Sequence, residues 1–151
     1  PKPRSKHRPK SMALICLNMR VAGCFMEYEG KFLILLRHPN KMNGDTWGLP
    51  AGKVDGDETD EQTILREVKE ETGYSAQKEE LEFLGLYHFD FPDLSLEFPT
   101  YRLVLNRPVA VVPNVDEHVE WKWVTAEECY AMPDLIRGFH DLLKRTGYIK
   151  R

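Results

Sequence analysis

Three glutamates, Glu67, Glu70 and Glu71, crowd one short part of the stretch 52–74, GKVDGDETDEQTILREVKEETGY. Carboxylates at that spacing have a chemistry that isolated acids lack. Together they offer oxygen ligands to a hard divalent cation, and such a cation neutralises phosphate oxygens and acidifies water. On a helix, at roughly 100° per residue, the three gather on one face, about 125° round from the apolar stripe Ile64, Leu65 and Val68. Locally that face is a poor choice. Glu67–Glu70 and Glu67–Glu71 are like-charge pairs at i,i+3 and i,i+4, each costing a few tenths of a kcal/mol, roughly 0.2–0.5. Glu70 and Glu71 also fall in the last turn, where the macrodipole disfavours anions by roughly 0.3–1 kcal/mol. Arg66 offsets part of this through Glu70 at i+4. Local rules broken without a structural return mark a working site, and a cation is the partner that would offset the rest.

The same residues carry a family resemblance. Gly52 is followed after five residues by Glu58, and after seven more by Arg66-Glu67-Val68-Lys69-Glu70-Glu71-Thr72-Gly73-Tyr74. This resembles the Nudix hydrolase signature, G-x5-E-x7-R-E-U-x-E-E-x-G-U, as in MutT-like members. Every fixed position is filled; Tyr74 stands where a bulky aliphatic residue is usual, which bears on packing rather than chemistry. A charge run alone is most often a solvated helix face, but so many fixed positions in one window are far more specific.

The resemblance implies an α/β fold, an α/β/α sandwich around a mixed β-sheet. It implies metal-dependent hydrolysis of a nucleoside diphosphate linked to another group X. The metal set it implies is the Gly52 carbonyl with Glu67, Glu70 and Glu71, holding Mg²⁺ or, in its place, Mn²⁺. The implied catalytic set is Glu67, Glu70, Arg66 and Glu117, with Arg66 orienting the glutamates through a bidentate pair. Glu58 either holds the loop or lies in the outer metal shell. In similar Nudix proteins an acid shortly before the Trp-containing strand approaches the metals or acts as base. Glu117 and Glu120 both qualify, and Glu117 is preferred because it lies in a loop. His118 beside it reads as a surface residue. The expected substrate is a small nucleotide, a nucleoside triphosphate either intact or oxidised. An NDP-sugar or ADP-ribose is the alternative within the class. A non-catalytic nucleotide-binding module is the alternative outside it, disfavoured because such modules often lose glutamates that are all present here.

The elements that must position these groups follow from pattern. Thr59 with Gln62 makes a capping box, so a helix should start near Asp60, and Gly73 supplies its left-handed end. Asn18–Glu29 alternates as a strand, Glu29-Gly30 turns, and Lys31–His38 returns as a more deeply buried strand, giving a hairpin. Residues 39–53, rich in Pro, Gly and Asn, read as a loop that brings Gly52 close to the acidic helix, with Trp47 packed beneath. Leu81–Phe91 and Glu97–Asn106 read as strands about a Pro92-Asp93 turn. Tyr87 and Phe89, whose rings can stack a base, are with Arg37 the candidate substrate contacts. Plain β-core is the competing reading of those aromatics. Residues 109–124 hold a short apolar strand, an acidic loop and the strand Glu120–Val124. Ala126–Met132 and Leu135–Gly147 close the chain as helices, the second with Leu135, Ile136, Phe139, Leu142 and Leu143 on its apolar face.

The 151 residues suffice for one domain with a real core, expected over 13–151. The formal net charge of −3 hides an asymmetry: residues 1–10 carry five Lys/Arg and no acid, leaving 16 basic against 24 acidic groups, a balance of −8. An acidic body argues against a broad nucleic-acid surface and requires cations before an anionic phosphate can enter. Residues 1–12 are expected to be a basic, disordered arm. The basic start lacks a signal-peptide pattern, and no apolar run is long enough to span a membrane. Cys16, Cys24 and Cys129 lack metal-like spacing and read as reduced thiols. The expectation is thus a cytoplasmic protein, monomer or homodimer, without membrane contact.

Overall fold

The computed structural model describes residues 17–150. The expected basic arm over 1–12, and Cys16, lie outside the described residues. Strand β1 (Leu17–Tyr28) and β2 (Lys31–Arg37) pair antiparallel, Tyr28 opposite Lys31. Glu29 and Gly30 between them both take positive φ, 50° and 80°, the two-residue turn whose twist matches a hairpin. β5 (Leu81–Phe91) and β6 (Leu94–Val104) form a second hairpin. β6 lies parallel to β1, which makes the sheet mixed.

Two very short strands, β3 (Trp47–Gly48) and β4 (Ala51–Lys53), pair with β2 and β1, and β7 (His118–Val124) pairs with β2. The sequence pattern predicts loop throughout residues 39–53, and the structure differs. Two- and three-residue strands leave no periodicity to read, and their pairing comes only from the neighbours.

Period-2 alternation distributes the core over both faces. Phe25, Phe32 and Ile34 face one side with Phe139, Leu142 and Leu143. Cys24, Met26, Leu33 and Leu35 face the other with Ile64 and Val68. A strand covered on both faces reads as a continuous apolar run, as Phe32–Leu36 does. Helix α1 (Asp60–Thr72) covers one face; α2 (Ala126–Tyr130) and α3 (Phe139–Arg145) cover the other. The result is the expected α/β/α sandwich. Ile64 and Val68 are wholly buried, each stabilising by about 1.5–3 kcal/mol, so α1 is anchored firmly beside its acidic residues.

Several boundaries differ from those expected, among them the start of β7, at His118 rather than Glu120. β6 starts at Leu94, three residues early, because Pro92-Asp93 closes a tight turn with Phe91 opposite Leu94. Residues 109–112 form no strand; flanked by Pro108 and Pro113, they cross the end of α1, with the Val112 N–H donating to the Thr72 carbonyl at 2.8 Å. The closing helices are shorter. Pro133 follows α2 and disfavours helix at the residue before it. Residues 134–136 run extended instead: Trp47 N–H donates to Asp134 and Ile136 N–H to Trp47. Gly138, at φ +90°, then caps α3. Leu135 still joins the core, but from an extended segment. Among the described residues no helix is long and apolar enough to cross a membrane.

Candidate active site

The acidic helix begins as its cap predicts. Thr59 Oγ1 accepts from the Gln62 N–H at 3.1 Å, Gln62 Oε1 accepts from the Thr59 N–H at 2.9 Å, and Gly73, at φ +83°, closes the far end on the Lys69 carbonyl. The inner face of α1 buries Thr63, Ile64, Val68 and Thr72, and with them Glu71. Glu71 Oε1 accepts from the Ala51 N–H at 3.1 Å, which ties the carboxyl to β4. Burial first, and then the neighbouring Glu67 carboxyl, hold Glu71 well above the usual carboxylate range, against the opposing pull of the Ala51 amide and Arg37. Gly52 packs straight onto Glu67: a Cβ at position 52 would run into the Glu67 carboxyl carbon. Glycine leaves the Glu67 carboxyl in place there; any side chain would have to displace it.

Arg66 organises the outer side. Its Nε and Nη2 fork onto Glu58 at 2.9 and 3.0 Å, Nη1 donates to Glu67 at 2.7 Å, and Nη2 also reaches the Lys53 carbonyl at 3.1 Å. The bidentate partner of Arg66 is therefore Glu58, while Glu67 receives a single bond. Glu58 also accepts from the Asp55 N–H and the Thr63 hydroxyl. The Arg66 guanidinium, with those donors, holds the Glu58 carboxyl down to about 2. Of the two roles left open for Glu58, the structure shows loop-holding. Glu70 is different: its side chain is 53% exposed and meets Arg66 only at 3.5 Å.

Glu67 and Glu71 line one cleft of about 370 Å³; Glu70 stands outside it. Among the described residues no three His, Cys, Asp or Glu side chains are gathered tightly enough to cage a cation as they stand. Two of the three glutamates converge, and the third is turned outward on Arg66. The donor chemistry nevertheless suits a hard cation. Two carboxyls are held against each other, and burial with that neighbour raises the pKa of Glu71. A divalent ion with oxygen ligands supplies the positive charge such a pair lacks.

Phe89, Arg37 and Glu117 also line the cleft. Phe89 is buried; its ring lies parallel to Phe91 at 6.2 Å and edge-on to Phe98, with the Arg145 guanidinium 4.6 Å from its centroid. Arg37 donates Nε to the Met42 carbonyl at 2.8 Å. Glu117 pairs with Lys41 at 2.7 Å, and that bond holds its carboxyl below the usual range. Glu120 is exposed on β7 and does not line the cleft. Tyr87 does not line it either; its side chain is packed against the core cluster beneath α3, its hydroxyl turned back to the Leu84 carbonyl.

His118, read from the sequence as a surface residue, is 4% exposed and lines the cleft. The β7 register sets it opposite Arg37, which a run of exposed-looking polar residues does not reveal. Burial, and then Arg37, push the imidazole down to about 4, so the ring is neutral at ordinary pH. Sequence reasoning also missed Asn43 and Arg137, both on the cleft wall. Arg137 makes a fork to Asp93 at 2.8 and 3.1 Å and lies over the Phe91 ring at 4.4 Å. No local pattern marks it; it arrives there because the β5–β6 turn meets the segment before α3.

Fold and site together define a sandwich with an acidic, glycine-backed helix at the floor of a mixed polar and apolar cleft. The NUDIX domain family model matches residues 17–145. The chain belongs to that family and is a Nudix pyrophosphohydrolase. Among its relatives, Phosphatase NudJ of Escherichia coli (strain K12) is 33% identical over 109 residues, 70% of this chain and 67% of that one. The crystal structure of a MutT protein from Methanosarcina mazei Go1 superposes with a TM-score of 0.74 at 27% identity, covering 89% of this chain and 96% of that one. RenU, a Nudix hydrolase from M. smegmatis, gives 0.67 at 25% identity, covering 89% of each chain.

Proposed function

We propose that the protein hydrolyses a phosphoanhydride of a nucleoside triphosphate, intact or oxidised at the base, with Mg²⁺ or Mn²⁺. One observation carries this reading: the buried Glu67–Glu71 pair, backed by Gly52, forms one wall of a cleft that also carries the aromatic and aliphatic groups Phe89, Phe98 and Leu96. A cation-dependent acidic wall and an apolar pocket for a flat ring together match a molecule that is polyanionic at one end and aromatic at the other.

The Gly52 carbonyl, Glu67 and Glu71 would hold the cation, with Glu70 joining once released from its long contact to Arg66. When bound, such a cation supplies positive charge against the phosphate oxygens and lowers the pKa of water at the site. The chain's own residues do the rest. Arg66, braced by Glu58, holds the Glu67 carboxylate in place as a positioning residue. The Ala51 amide does the same for Glu71. Glu117, kept ionised by Lys41, is the proton acceptor for the attacking water. Arg37 and Arg137, cationic side chains lining the same cleft, attract the phosphate chain. The buried thiols of Cys24 and Cys129, unpaired and pushed up by burial, accord with a reducing, cytoplasmic setting.

The test is separation of the nucleotide products formed from NTPs, oxidised dNTPs, NDP-sugars, dinucleoside polyphosphates and ADP-ribose, with Mg²⁺ and with chelator. The expected product is a nucleoside monophosphate, with pyrophosphate from a triphosphate, with a sugar phosphate from an NDP-sugar or ADP-ribose, and with a second nucleotide from a dinucleoside polyphosphate. Triphosphates should be the best substrates, and only with metal. Preference for an NDP-sugar or ADP-ribose would replace the triphosphate reading. Glu70→Gln should lower turnover about a hundredfold or more with little change in melting temperature, since the side chain is half exposed. Unchanged Mg²⁺-dependent release by that variant would remove Glu70 from the metal set.

A further inference from the structure

Most polar side chains on the cleft wall beyond the glutamates are already engaged: Arg37 by the Met42 carbonyl, Glu117 by Lys41, Arg137 by Asp93. Two are not. The His118 Nδ1 is buried and lacks a hydrogen-bond partner among the described residues. The half-buried Asn43 side-chain amide likewise makes no hydrogen bond among them. An orphaned buried nitrogen is destabilising, and buried polar groups in folded proteins are almost always bonded. Its place on the cleft wall supplies the explanation: the partner arrives with the ligand.

We propose that His118 and Asn43 form the hydrogen-bonding edge that reads the heterocycle of the substrate, a role that rests on the nucleotide reading above. The two come from neighbouring segments. The loop that carries Asn43 leaves β2 at Arg37, which pairs with His118, and the His38 N–H donates to the Glu117 carbonyl at 2.8 Å. The surrounding wall, including Phe89, Phe98, Leu96 and Met19, suits the faces of a flat ring. A neutral imidazole offers one donor and one acceptor, and an amide offers both kinds. That combination matches the alternating N–H and C=O groups on a nucleobase edge. A phosphate would instead be met by guanidinium or ammonium groups. As the ring stands Nδ1 is closed off, so the imidazole must turn about its Cβ–Cγ bond, a broad torsion, when the ligand binds.

The experiment is calorimetric titration of the full chain with AMP, GMP, CMP and UMP in the presence of Mg²⁺, since these four ligands differ only in the heterocycle and hold no phosphoanhydride to hydrolyse. The wild type should prefer one base. His118→Phe and Asn43→Ala should each weaken that preferred ligand about tenfold and narrow the spread among the four, as loss of one hydrogen bond requires. His118→Gln, which restores a donor and an acceptor, should recover part of the preference. A cooperatively melting His118→Phe that keeps affinity and preference overturns the proposal, as does a wild type that binds all four alike or none. If His118→Phe does not fold, unchanged preference in both His118→Gln and Asn43→Ala overturns it equally. Hydrolysis does not enter this measurement. Failure of the triphosphate reading in the substrate panel leaves a monophosphate preference standing, and full activity with an unchanged preference removes only the role of His118 and Asn43.

Discussion

Glu71 sits on the buried side of α1 beside Thr72, 6% exposed, with a second carboxyl as its neighbour. Its folded pKa is raised above the unfolded one, so its ionisation opposes folding. In chelator, that contribution to stability is fully present below the ordinary carboxylate range and is lost as pH rises through the raised folded value. Glu71→Gln should therefore flatten the decline in melting temperature as pH rises above the ordinary carboxylate range, and should abolish most turnover. The same side chain would thus cost stability and support activity. Thermal melts with and without Mg²⁺ check this: in the wild type, added Mg²⁺ should recover the stability lost at high pH, and in the variant it should not. A wild-type curve without such a slope would mean that Glu71 is ionised without a cation.

Two contacts between elements decide how the site is held. The first is β4 against α1, where Gly52 meets the Glu67 carboxyl with no room for a Cβ. Gly52→Ala should displace Glu67 and cut turnover about tenfold or more, with a smaller effect on the melting temperature than its effect on rate. Kinetics and melts on one preparation separate the two. The second is the 38–46 loop against the start of β7, where Lys41 holds Glu117. Lys41→Met removes the ammonium that keeps the Glu117 carboxyl low, so its pKa rises toward the ordinary value. The acid limb of the kcat/KM profile should then move to higher pH. A limb that stays in place would show that Glu117 is not the proton acceptor.

At the scale of the whole molecule, charge is divided unevenly. Residues 1–10 carry five cations, and the rest of the chain has a balance of −8. The groups proposed to act in catalysis all lie on the sandwich. Deletion of residues 1–10 should therefore leave kcat/KM within about twofold; a large loss at low salt, relieved at high salt, would instead tie the arm to the attraction of substrate. The sandwich itself explains why one cleft can be acidic and apolar at once. α1 delivers carboxylates from one covered face to the edge of the sheet, while the segment before α3 and the β5–β6 hairpin bring apolar side chains to the same opening.

How α1 begins and ends, and that Ile64 and Val68 turn inward, were readable in the chain, because capping and periodicity are local; that Glu71 is buried beside them while Leu65 is not, and that Glu70 turns outward, was not. Readable too were the first hairpin, which needs only Glu29-Gly30 and alternating apolar residues, and the sandwich class, which the signature brought with it. What the sequence could not show depends on contacts between distant residues. Short strands β3 and β4 exist only because β1 and β2 offer them open edges. Arg66 chooses Glu58 for its fork because the 53–58 loop folds back over α1. His118 becomes a buried wall of the cleft, and Tyr87 a bystander, through strand register, in which a shift of one residue exchanges inside for outside. Local chemistry was set by neighbours in sequence; which side chains share the cleft was set by neighbours in space.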